Sequence, residues 1–107
     1  MKNIIFFLFL ASFSLNVLAI DGFSVGLISQ VRVQASYNRI LIAQENSTNP
    51  GNCSKTDYLY LSANDDVLHR DMYLALLVAY SGSKETMLGL EGCSSAGRPI
   101  IVDVWIK

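Results

Sequence analysis

Histidine occurs once in this chain, cysteine twice, and no run of lysine and arginine occurs anywhere. Each scarcity removes a class of function. One histidine and two cysteines are too few for a structural zinc site, which takes four ligands of such types, so no metal and no other cofactor is expected. Nucleophilic catalysis needs a base and a third group to orient it. His69 is the only imidazole, and no Gly-x-Ser-x-Gly elbow, paired-histidine spacing or phosphate loop accompanies it. Asp65 and Asp66 are adjacent, so at a helix start their carboxylates diverge, which suits capping better than a shared site. The chain is therefore expected not to be an enzyme. With eight Lys/Arg against nine Asp/Glu and no basic patch, electrostatic capture of nucleic acid or anionic lipid has no basis.

Residues 4–15 form an almost unbroken apolar run, preceded by Lys2 and followed by the small-residue site Val17-Leu18-Ala19. This is the pattern of a secretory signal peptide; a retained anchor is the alternative. The run falls short of the roughly 20 apolar residues that a membrane-spanning helix needs, so no membrane span is expected. Residues 1–19 are then a leader, and residues 20–107 are one domain delivered to a secreted or periplasmic location. With Lys2 gone, seven Lys/Arg face nine Asp/Glu. A domain this small buries only about 60–65% of its unfolded surface and has little stability in reserve. Export supplies a remedy. Cys53 and Cys93 both lie in the mature part, allow one connectivity, and read as a disulfide.

Hydrophobic periodicity orders the rest. Residues 25–35 alternate, with Val25, Leu27, Val31, Val33 and Ala35 on one face, Ser29 as the exception, and Gln30, Arg32 and Gln34 on the other. Tyr37-Asn38 supplies a turn, and residues 39–45 continue as the second strand of a hairpin. Residues 46–55, rich in Asn, Ser and Gly, read as a loop, and residues 58–62 as a third strand with Tyr58 and Tyr60 on one face. Asn64, Asp65 and Asp66 precede residues 67–81, a stretch free of Gly and Pro that ends at Gly82, the expected glycine stop of a helix. Residues 85–91 and 99–107 complete two further strands. The order β-β-β-α-β-β predicts a mainly β domain with one helix, an OB-fold-like five-stranded barrel. An α+β sandwich with the helix on an open sheet satisfies the same order.

The helix carries more apolar surface than one barrel can cover. Met72, Leu76 and Ala79 form one stripe and Tyr73, Leu77 and Tyr80 the next, which leaves Leu74 and Val78 on the opposite side. Such a leftover band marks a surface between copies or for another protein, so a homo-oligomer is expected; scattered exposed aliphatics are the alternative.

The stretch Tyr73 to Cys93, an Ala-Leu-containing helix that ends at an aromatic and a glycine before a strand, resembles the B subunits of subtilase-cytotoxin-like AB5 toxins. The opening Asp21-Gly22-Phe23-Ser24 resembles their start. The mature chain as a whole is similar to small bacterial exported proteins with Asn-Pro-x-x-Cys, here Asn49 to Cys53, and a later Gly-Cys, here Gly92-Cys93. The toxin resemblance implies an OB-fold in a pentameric ring, helices around its pore, that binds sialylated glycans, with Asp21 and Ser24 at the sugar site. It departs at residues 88–90, where those subunits present aromatics and this chain has Leu88, Gly89 and Leu90. Tyr58, Tyr60 or Trp105 would supply the aromatic face that a glycan site uses. The competing expectation is a stand-alone exported protein that binds another protein, as an inhibitor or an envelope component.

Overall fold

The computed structural model describes residues 20–63 and 66–107. The leader expected at residues 1–19 and the capping role expected of Asp65 lie outside the described residues.

Five strands and one long helix follow in the expected order: β1 (Gly22–Gln34), β2 (Arg39–Gln44), β3 (Leu59–Ser62), α1 (Val67–Ser81), β4 (Glu85–Cys93) and β5 (Pro99–Ile106). The strands close into a barrel in the order β1-β2-β3-β5-β4, with β4 returning to β1. All pairings are antiparallel except β3 with β5, which meet in parallel at Tyr60 and Ile100 and shut the ring. This is a mainly β, OB-like barrel; the open-sheet alternative does not apply. Closure also removes the unpaired edges that make small sheets aggregate.

The core is apolar and drawn from every element: Ile28 from β1, Ile40 and Ile42 from β2, Leu59 and Leu61 from β3, Leu76 and Ala79 from α1, Leu88 and Leu90 from β4, Ile101 from β5. The long first strand departs from its sequence pattern. Its register against β2 shifts between Ile28 and Gln30, a bulge that adds one residue and reverses which side chains face inward. After the bulge Val31 packs on the core as expected, but before it Ser24 and Ile28 point inward while Val25 and Leu27 are exposed. Val33 lies beyond the core and is exposed, and Ala35 belongs to a short 3-10 turn, Ala35–Tyr37, that Asn38 ends in a left-handed conformation.

Helix α1 starts where a carboxylate can hold it. Asp66 adopts an extended backbone and its side chain accepts the His69 N–H at 2.9 Å, while its second oxygen meets His69 Nδ1 at 2.9 Å. These hydrogen bonds, the backbone one foremost, hold the Asp66 carboxyl below its ordinary value. The helix ends differently from its sequence pattern. Gly82 keeps an ordinary φ of −92°, and Ser83 at φ 50° takes the left-handed position. Lys84 N–H then bonds the Ala79 carbonyl at 2.9 Å and Ser83 N–H that of Tyr80, the two closing bonds of a Schellman cap.

Cys53, in the β2–β3 loop, is bonded to Cys93, the last residue of β4, with Cα atoms 5.6 Å apart. Asn49 explains the loop's shape. Its side-chain oxygen accepts the Cys53 N–H at 2.9 Å and its amide nitrogen donates to the Cys53 carbonyl at 2.8 Å, folding Asn-Pro-Gly-Asn-Cys into a tight ring. Asn52 supplies the positive φ, 54°, that this ring needs. The motif thus presents Cys53 to the end of β4.

Candidate functional site

The expected ligand residues divide between three places. Asp21 and Ser24 are three residues apart in extended chain, so they face opposite ways. Asp21 is exposed, and its carboxylate accepts the Gly92 N–H at 2.7 Å, while its own N–H bonds the Leu90 carbonyl at 2.8 Å. It clips the start of the domain to β4 beside the disulfide. Ser24 is 0% exposed. Its hydroxyl donates to Gln44 Oε1 and accepts the Thr48 N–H at 3.0 Å. A solute would reach Ser24 only by displacing the loop that carries Thr48.

Ser24 belongs to a buried polar knot centred on Gln44. The Gln44 amide nitrogen faces the carbonyls of Ser24 at 3.1 Å, Gly26 at 3.4 Å and Thr86 at 3.2 Å, together with Thr86 Oγ1 at 3.0 Å. Thr86 Oγ1 in turn donates to the Gly26 carbonyl at 2.9 Å. No buried side-chain nitrogen or oxygen among the described residues lacks a partner, as a buried polar cluster requires. This arrangement ties β1, β2 and β4 together inside the barrel, and Gly26 admits it: a Cβ there would stand 2.2 Å from the Glu45 carbonyl oxygen. Ser24→Ala is accordingly expected to lower stability by about 1–3 kcal/mol, because it strands the Thr48 N–H and the Gln44 oxygen. Urea unfolding of the purified variant measures this.

Tyr60 lies on the outer side of β3, between the inward-facing Leu59 and Leu61, and Tyr58 stands just before the strand, which is one residue shorter at its start than the expected 58–62. The Tyr58 hydroxyl donates to Gln30 Oε1 at 2.8 Å, reaching across β2 to β1. Tyr60 pairs with Leu41, which is fully buried although it stands outside the barrel core. Both rings are half-buried. Near them Arg98, itself buried, forks onto both carboxylate oxygens of Asp57 at 3.1 and 3.2 Å. That hydrogen bonding holds the Asp57 carboxyl below its ordinary value.

Among the described residues two open apolar surfaces stand out beside the scattered Val33, Tyr37 and Leu68. On α1, Leu74 is 52% and Val78 64% exposed, as their helical phase requires. With Leu77, Ser81 and Gly82 they line an open groove of about 670 Å³. The second surface is the outer side of β1–β4–β5, where Val25, Met87 and Trp105 form a cross-strand row and Phe23, Gly89 and Asp103 the next. Phe23 lies over Gly89, whose missing side chain makes room for the ring and for Asp103. Trp105 is 60% exposed. Sequence alternation assigned Val25 and Leu27 to the core and so concealed this second surface. The signal that would have found it is Ser29, the break in phase where the bulge falls.

Among the described residues no group of three or more His, Cys, Asp or Glu is placed to hold a metal ion, and no helix is long and apolar enough to cross a membrane. Asp66 and His69 hydrogen-bond each other at the start of α1, where Asp66 caps the helix. The class that the fold defines is a disulfide-bonded, OB-like barrel with two open apolar surfaces. No protein-family model, no curated protein and no solved structure matches the chain.

Proposed function

We propose that residues 20–107 form an exported, non-catalytic binding module that works as an oligomer. The observation that carries this is the outer side of α1. Leu74 and Val78 are open to water in a single copy, and a groove runs beside them. Covering what remains open of these two aliphatic side chains is worth about 1–2 kcal/mol each, and the bonded cysteine pair suits an oxidising compartment. The resemblance of residues 73–93 to toxin B subunits, together with the OB-like barrel, supports a ring-forming, glycan-binding role. With Ser24 enclosed, such a ligand would meet Asp21 and the outer tyrosines first. The second reading, an exported chain that binds another protein, draws on the outer β1–β4–β5 surface, whose Phe, Met and Trp are residue types that protein interfaces favour.

Val78→Glu is expected to dissociate the oligomer and leave a folded domain, since a carboxylate buried without a partner is costly. Light scattering and circular dichroism on the secreted protein measure both halves. A wild-type chain that stays monomeric at every concentration removes the ring and the B-subunit analogy with it. A glycan array on the assembled protein then separates the two ligand readings.

A further inference from the structure

The two open surfaces are unlike each other, and they match. The α1 groove is shallow and runs along one side of the helix, lined by the aliphatic Leu74, Leu77 and Val78, with Ser81 as its one hydroxyl. The outer sheet surface presents Trp105, the most exposed aromatic of its row, with Val25 and Met87 beside it. An indole wants an apolar slot for its rings and an acceptor for its N–H, and the groove offers both. Charge agrees with shape. Arg70 and Asp71, about one turn before Leu74, flank the groove with opposite charges, and the Lys84 stem lies against Gly82 at its end, so cations outnumber the one carboxylate there. Asp103, two residues before Trp105 and on the same side of β5, flanks the sheet surface, with Glu91 on the neighbouring strand. Among the described residues the ion pairs are His69–Asp66, Arg98–Asp57 and Lys107–Glu85, so Arg70, Lys84, Asp103 and Glu91 have no ionic partner among those residues.

We infer that the occupant of the α1 groove is Trp105 of a second copy of this chain. The contact joins unlike surfaces, so each copy uses its groove toward one neighbour and its sheet toward the other. That is a heterologous interface, which generates a closed ring or an open filament and not a two-fold dimer. Trp105 is its anchor, Val25 and Met87 widen the apolar centre, and Arg70 and Lys84 meet Asp103 and Glu91 around the rim. The inference rests on the oligomeric reading above and adds which surfaces meet.

Cysteine cross-linking tests it on the secreted protein, whose two native cysteines are already bonded. Val78→Cys and Trp105→Cys variants are prepared separately and mixed before mild oxidation. A covalent pair is expected in the mixture and not in either variant alone. Trp105→Ala is expected to raise the dissociation constant by at least about thirty-fold, the effect of an anchor residue, with the melting temperature of the isolated domain unchanged. Asp103→Lys is expected to weaken assembly, and Arg70→Glu in the same chain to restore part of it. Should Val78→Cys pair with itself, Trp105→Cys pair with itself, or Trp105→Ala leave the assembly intact while Val78→Glu dissociates it, the inference is overturned and the oligomeric reading stands. A wild-type monomer overturns both. Were Trp105→Ala to misfold, the mixed cross-link alone decides.

Discussion

Replacing Cys53 and Cys93 together by serine is expected to lower the melting temperature of the domain by roughly 15–30 °C. The bond closes a loop with a sequence separation of 40 residues, worth about 4 kcal/mol in the chain-entropy model. A domain of this size holds about 5–10 kcal/mol in all, and each kcal/mol moves the midpoint by about 4–8 °C. The native frame around the bond is already assembled by other contacts. Asn49 holds the Cys53 main chain from both sides, and Asp21 holds Gly92 beside Cys93. The loss therefore falls mainly on the unfolded chain, which gains freedom, and less on the geometry of the folded one. Differential scanning calorimetry of wild type and double variant gives the number. A shift under about 5 °C would show that these neighbouring hydrogen bonds, and not the covalent link, hold the loop to β4.

Much of this architecture is legible in the residue pattern, and the failures have identifiable causes. The element order, the helix bounds at residues 67 and 81 and the Cys53–Cys93 pair follow from periodicity, from Asp66 and from there being two cysteines with one connectivity. The buried stripe Leu76 and Ala79 and the open pair Leu74 and Val78 follow from a helical repeat of 3.6. The first half of β1 does not follow. A strand's period of two is faithful only while the register holds, and the bulge at Ser29 exchanged the inner and outer sets of side chains. The pattern therefore places Val25 in the core when it is on the surface, while Ser24, whose ligand role rests on the resemblance of residues 21–24, is enclosed. The role of Gln44 does not follow either. An isolated glutamine at a strand end carries no signal in one dimension, because its partners Ser24, Gly26 and Thr86 come from two other strands. Gly82 misled in a smaller way: a glycine after a helix need not be the left-handed residue when the next one accepts that conformation.

Gln44→Glu is the substitution that tests the buried knot most sharply. The two side chains have almost the same volume, so no cavity opens, but the amide nitrogen becomes an oxygen. In the wild type that nitrogen shares its two hydrogens among the carbonyls of Ser24, Gly26 and Thr86 and the Thr86 hydroxyl. Those acceptors fix the amide's orientation, since turning it over would set oxygen against oxygen. An ionised glutamate there faces three carbonyls with nothing to give them and no cation to offset it. The expected loss at neutral pH is about 3–5 kcal/mol, the cost of an uncompensated buried charge, a large share of the domain's stability. The variant relieves itself by staying protonated, so its folded pKa is expected to lie well above its unfolded value. The penalty is then absent at low pH and grows as pH rises above the unfolded pKa of about 4.3, up to the folded one. Stability of the variant should consequently recover on acidification, whereas that of a Gln44→Leu control, which cannot ionise, should not show this gain. Urea unfolding of both variants between pH 4 and 8 separates the cases. Parallel pH profiles for Glu and Leu would mean that position 44 is open to water and that the carbonyls around it are not sealed inside the barrel.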